Sequence, residues 1–216
     1  MLKGAIFDMD GLMFDTEAIW QKNWNLIAAE MGIELDPEFK FSICGTSGAL
    51  MNSVIERFYH VEDGAPIAKD CVGRVHKDLE SFVPEKPGVH EILAFFQENG
   101  VKIAVASSST PQQIRSNLRM TDTENYISAV VSGQSVPYGK PAPDIFLKAA
   151  EELGLDPSEC YVFEDAFNGV RAGYRAGCRT VMIPDMSQPD DEMKEIAAGI
   201  YPDLLQAMEA IREGQI

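Results

Sequence analysis

Positive charge, cysteine and histidine are all scarce in this sequence, and long apolar runs do not occur. Lys and Arg number 18 against 34 Asp and Glu, a net charge of −16. Nucleic acid and anionic membrane surfaces both require a basic patch, so neither is expected as a partner. Cys44, Cys71, Cys160 and Cys178 form no C-x-x-C pair and read as buried free thiols suited to a reducing compartment. His60, His76 and His90 lack metal-ligand spacing, which predicts surface or structural roles for them. No stretch approaches the ~20 apolar residues of a membrane span. The first strand is under way by Gly4, so a signal peptide is not expected and the chain reads as cytoplasmic.

What is present is an alternation. At 216 residues the chain is long enough for one good core, or for a core domain carrying a smaller one. Short apolar runs at 4–8 (GAIFD), 101–106 (VKIAVA), 127–132 (ISAVVS), 160–164 (CYVFE) and 180–184 (TVMIP) read as buried strands. From residue 79 onward they are separated by segments of helical period. Val89, Ile92, Leu93, Phe95 and Phe96 form one apolar face ending at Gly100; Ile145, Phe146, Ala149, Ala150 and Leu153 form another ending at Gly154. Glycine just past a helix is the expected stop. This alternation predicts an α/β fold, a Rossmann-like parallel sheet covered by helices on both faces. Residues 16–82 interrupt the rhythm with helical patterns at 19–31, 50–59 and 67–82 and no convincing strand. They read as a helical insertion, which leaves 1–15 and 83–216 as the core. A final amphipathic helix is expected over 200–216.

Ligands of open parallel sheets bind beyond the carboxyl ends of the strands. Those ends carry Asp8 and Asp10, then Ser107, Ser108 and Ser109, then Lys140, then Glu164 and Asp165. Asp8 and Asp10, two apart in extended chain, tend to one side, and Gly11 lets the chain turn away at once. Two carboxylates about 4 Å apart repel by roughly 4 kcal/mol at an effective dielectric near 20. A hard divalent cation removes that cost, and all-oxygen ligands suit Mg²⁺. Thr110 and Pro111 suit the cap and first residue of a helix, whose N-terminus with the three serines forms a phosphate site. Lys140 adds a positive charge, and Asp144 is expected to cap the next helix. Each feature alone has a bland explanation, as a turn, a cap or a solvated charge. Their ordered conjunction at successive strand ends does not.

Taken together, FDMDG, VASSS, GKPAPDIF and VFEDA resemble the four motifs of the haloacid dehalogenase superfamily of phosphotransferases. The resemblance runs over the whole chain, to the branch with a helical cap inserted after the first strand. It implies that Asp8 is the nucleophile forming an aspartyl-phosphate, and that Asp10 protonates the leaving oxygen and then activates water. It also implies that Ser107 and Lys140 hold the phosphoryl oxygens. Mg²⁺ would be held by Asp8, the Asp10 carbonyl and Asp165, with Glu164 ligating or supporting. The domain expectation becomes a catalytic core at 1–15 and 83–216 and a cap at 16–82.

Asp10 points to phosphate esters, since dehalogenases and phosphonatases of the family generally lack an aspartate there. The implied activity is a phosphatase on a small phosphorylated metabolite such as a sugar or nucleoside monophosphate, monomeric by default. β-Phosphoglucomutase is the alternative. Known members of that kind carry histidine at the position of Trp20 and basic residues in the loop matching 43–48, which is ICGTSG in this chain. Residues 16–82 hold six Lys/Arg against eleven Asp/Glu, a poor field for the second phosphate a mutase must bind. The polar Thr46 and Ser47 and the apolar Met13, Trp20 and Trp24 are the candidate substrate-facing positions, with Trp24 the better fit to a core. A more distant alternative is a non-catalytic phospho-accepting switch like the receiver domains, which lack the second aspartate and the insertion.

Overall fold

Among the described residues six short strands, all parallel, lie in the order β3-β2-β1-β4-β5-β6, and helices connect them. The computed structural model describes residues 1–44, 46, 48–186 and 188–216. In chain order β1 (Gly4–Phe7) is followed by four helices, α1 (Thr16–Glu30), α2 (Phe39–Ile43), α3 (Gly48–Tyr59) and α4 (Ala65–Leu79). Then come α5 (Val89–Glu98), β2 (Lys102–Ser107), α6 (Pro111–Met120), β3 (Ala129–Ser132), α7 (Asp144–Leu153) and β4 (Cys160–Glu164). The chain ends with α8 (Phe167–Ala176), β5 (Arg179–Met182), α9 (Asp191–Ile196), β6 (Gly199–Ile200) and α10 (Leu204–Arg212). It divides into two compact units, Met1–Phe14 with Pro84–Ile216, and Asp15–Val83.

In the sheet unit, alternation along each strand divides the core into two layers. Ile6, Ala104, Ala106 and Val162 pack with the buried face of α7, formed by Ile145, Phe146, Ala149, Ala150 and Leu153. On the other side Phe7 stacks on Phe163 with ring centroids 4.6 Å apart, and Phe96 of α5 meets Phe7 edge-on at 6.1 Å. Each large side chain so buried stabilises by roughly 1.5–3 kcal/mol. α7 stops at Gly154, whose φ of 67° is left-handed. The order 3-2-1-4-5-6 reverses beside β1, and such a reversal opens the crevice where ligands of these sheets bind.

The helical unit has its own core. Phe39 meets Trp24, Tyr59 and Phe58 edge-on at centroid distances of 5.9, 5.6 and 5.5 Å. The buried Tyr59 hydroxyl donates to the Trp24 carbonyl at 2.7 Å, tying α3 to α1. Arg74 of α4 grips both oxygens of Glu30 at 2.7 Å. Among the described residues no helix is long and apolar enough to cross a membrane.

Two expectations change, and two short helices appear that no expectation covered. Residues 199–200 begin no helix; they pair with Val181 and Met182 as an edge strand, and α10 starts only at Leu204, capped by Asp203. The short helices α2 and α9 carry too few turns to show a period. Asp144 does not cap α7: Pro143 holds that position, no side-chain cap bond forms, and Asp144 sits in the first turn, where its charge suits the helix dipole.

Candidate active site

β1 delivers Asp8 and Asp10 at the carboxyl edge of the sheet. The Asp8 amide donates to the Phe163 carbonyl at 3.0 Å, extending the β1–β4 pairing by one residue. At Gly11 φ is 90° and its amide returns to the Phe14 carbonyl at 2.9 Å. A side chain there would meet the Asp165 carboxylate, so glycine serves both the turn and the close approach.

The two aspartates occupy different surroundings. Asp8 is buried, 7% exposed, and an Asp8 oxygen accepts from the Lys140 ammonium. Lys140 also donates to Glu164 Oε1 at 2.5 Å and to the Ala106 carbonyl at 3.4 Å, and lies 5.1 Å from the Phe146 ring centroid. Burial would lower the Lys140 pKa, but Asp8 and Glu164 outweigh it and hold the ammonium above its usual range. Burial pushes Asp8 up to about 7, reinforced by the charges of Glu164 and Asp10 and opposed by Lys140. Asp165 is likewise raised well above the ordinary carboxylate range, by burial first and then by Glu164 and Asp8.

Asp10, half-buried, turns towards β2. Its Oδ2 accepts from the Ser107 hydroxyl at 3.1 Å and the Ser109 hydroxyl at 2.8 Å. Ser107 Oγ accepts in turn from the Ser109 amide at 3.0 Å. Ser108 is exposed. Thr110 caps α6 by accepting from the Gln113 amide at 3.2 Å, with Pro111 opening the helix.

Glu164 ends β4 only 1% exposed. Its Oε1 faces Lys140, and its Oε2 accepts from the amides of Asp165 and Ala166 at 3.0 and 3.1 Å. Asp8, Glu164 and Asp165 each place an oxygen within 4.8 Å of the others. One lysine against three carboxylates leaves an excess of negative charge, and an all-oxygen set of this kind fits a hard cation such as Mg²⁺. The Asp10 side chain is not part of this trio.

The haloacid dehalogenase-like hydrolases match residues 5–183. The chain is 31% identical over 192 residues to hexitol phosphatase B of Escherichia coli K12, covering 87% of this chain and 86% of that protein. It is 30% identical over 184 residues to a phosphorylated carbohydrates phosphatase of Thermotoga maritima, covering 83% and 84%. The chain belongs to the haloacid dehalogenase-like hydrolase family. Within it the chain sits in the branch of phosphatases and β-phosphoglucomutase-like proteins, and is an enzyme of the phosphatase kind. The fold is shared with a β-phosphoglucomutase from Clostridium difficile, with a TM-score of 0.79, 24% identity, and coverage of 99% of this chain and 96% of that one. Membership sets aside the receiver-like switch.

The structure therefore gathers Asp8, Lys140, Glu164 and Asp165 into one hydrogen-bonded group and Asp10, Ser107 and Ser109 into a second, with the Asp10 charge acting on Asp8. Trp20, Trp24 and Thr46 belong to the helical unit, Asp15–Val83. Trp20 is half-buried and stacks on Trp24 at 6.1 Å, and Trp24 is 1% exposed in the helical core. The Thr46 hydroxyl donates back to the Ile43 carbonyl at 2.7 Å. Ser47 lies outside the described residues. Met13 is fully buried.

Two contributors escape a reading of the motifs. Ser132, at the end of β3, donates to the Ser109 carbonyl at 2.6 Å. Gly169, in the first turns of α8, leaves room for the Glu164 carboxylate, onto which a side chain at 169 would fall. A glycine inside a helical pattern is a signal for such a close approach; nothing in the local sequence distinguishes Ser132.

Proposed function

We propose that this enzyme is a Mg²⁺-dependent phosphomonoesterase acting on a small organic phosphate, a sugar phosphate first among them, through an aspartyl-phosphate on Asp8. The observation that carries the reading is the separation of two neighbouring aspartates. Asp8 lies against a lysine and two further carboxylates, whereas Asp10 is held by hydroxyls. One suits attack on phosphorus and the other proton transfer.

In the first step an Asp8 oxygen bonds to phosphorus as the bond to the leaving oxygen breaks. A proton from Asp10 completes the departing alcohol. In the second step water attacks phosphorus, its proton passes to Asp10, and the bond to Asp8 breaks to release inorganic phosphate. Lys140 and the Ser107 hydroxyl supply positive charge and a donor to the phosphoryl oxygens, the main requirement of phosphoryl transfer. Asp8, Glu164 and Asp165, with the Asp10 carbonyl, would hold Mg²⁺, which supplies charge neutralisation for an anionic substrate among carboxylates. The helical unit, Asp15–Val83, is proposed as the cap that selects the substrate. The names of the two phosphatase relatives support a phosphorylated carbohydrate as that substrate.

The test is a turnover screen with Mg²⁺ over hexose and hexitol phosphates, nucleoside monophosphates and β-glucose 1-phosphate, with and without a bisphosphate activator. Release of inorganic phosphate is expected, and Asp8→Asn should abolish it. Isomerisation that depends on the activator and releases no phosphate would overturn the assignment in favour of a mutase.

A further inference from the structure

Three serines and a threonine in a row before a helix are commonly a turn and its cap. In this chain Thr110 performs the capping by itself, which leaves Ser107 and Ser109 for other work, and both aim at Asp10 Oδ2. Their situations differ. Ser107 Oγ already accepts from the Ser109 amide, and its single proton goes either to Asp10 or to a phosphoryl oxygen, never to both. The Ser109 hydroxyl makes the shorter bond to Asp10, 2.8 Å against 3.1 Å.

The Ser109 backbone is held from two sides. Its amide donates to Ser107 Oγ, and its carbonyl accepts the Ser132 hydroxyl at 2.6 Å. Ser132 Oγ accepts from the Gln134 amide at 3.2 Å, and Ser132 pairs with Ser107 in the β2–β3 register. At the next residue, Gly133, a Cβ would lie 3.2 Å from the Ser108 Cα, so β3 seats the turn closely.

We propose that Ser109 is a positioning residue for Asp10, keeping its carboxyl group in place when the Ser107 proton turns to the phosphate. The proposal rests on the reading of Asp10 as the group that protonates the leaving oxygen. The work is divided between the two serines: Ser107 exchanges partners during the cycle, and Ser109 does not. Ser109 thus serves proton delivery rather than phosphate binding.

Leaving-group dependence separates these roles. kcat/KM reports the steps up to release of the alcohol, and only a poor leaving group needs a proton there. Ser109→Ala is expected to lower kcat/KM roughly tenfold for a hexitol phosphate, the scale of one hydrogen bond to a charged group. For p-nitrophenyl phosphate and acetyl phosphate, whose leaving groups depart as anions, the loss should stay within about twofold. Ser109→Thr, which keeps the hydroxyl, should restore the ratio between the substrates. Ser109→Cys, close in volume to serine and a weak donor, should resemble alanine and guards against misfolding of the alanine variant. In an Asp10→Asn background Ser109→Ala should cost nothing further. An equal loss on all three phosphates, or no loss on any, overturns the proposal and leaves Asp10 untouched. If Asp10→Asn itself spares the hexitol phosphate, the reading of Asp10 falls and the role of Ser109 falls with it.

Discussion

Gly169→Ala is the sharpest test of how the site is built. Gly169 lies in α8, and by helix propensity alone alanine should stabilise it by about 0.5–1 kcal/mol. Tertiary structure reverses the sign, because a Cβ at 169 falls on the Glu164 carboxylate. Glu164 is 1% exposed and holds Lys140 and two backbone amides. Moving it strains a packed interior, at about 1–3 kcal/mol, and weakens bonds to a charged group worth about 1.5–3 kcal/mol each. A net loss of about 3–5 kcal/mol follows, close to the cost of breaking a buried ion pair. Gly73 in α4 is the control: a Cβ there meets nothing within 4 Å, so Gly73→Ala should gain up to about 1 kcal/mol. Urea denaturation with unchanged slope measures both variants. If Gly169→Ala proves as stable as the parent, Glu164 is not the buried anchor of Lys140 and the account of the cluster fails.

The metal-free protein should lose stability as pH rises from about 4 to about 7. Asp8 retains its proton in the folded state up to about 7 against an ordinary 3.8, so the folded form binds more protons across that window. The loss attributable to Asp8 is at most about 4 kcal/mol and is complete above the folded pKa. Mg²⁺ should accordingly raise Tm more at pH 8 than at pH 5, and equal shifts at both would contradict a carboxylate site. Tyr59→Phe, which removes the bond to the Trp24 carbonyl, should cost about 1 kcal/mol by chemical denaturation; a cost below about 0.3 kcal/mol would mean that bond contributes nothing net. Lys140→Met should destabilise the metal-free protein by about 3–5 kcal/mol at pH 8, and a neutral effect there would show that the carboxylates do not depend on its charge.

The sheet was legible because burial writes a local pattern. Apolar runs bounded by glycine and proline place β1 to β5 within one or two residues, and Thr110 and Gly154 announce their caps. The order of acids, hydroxyls and lysine along the chain was equally plain, since each follows a strand that ends on the same edge. Two-residue β6 was not, because pairing with β5 rather than any period of its own makes it a strand. The sequence by itself determined which chemistries the chain owns and that they meet at one edge. Only the tertiary structure decided their partners. Asp10 finds its hydroxyls 97 and 99 residues away, and Lys140 finds Asp8 at a separation of 132. The direction of a hydroxyl proton, or the room left by Gly169, depends on atoms that only folding brings near.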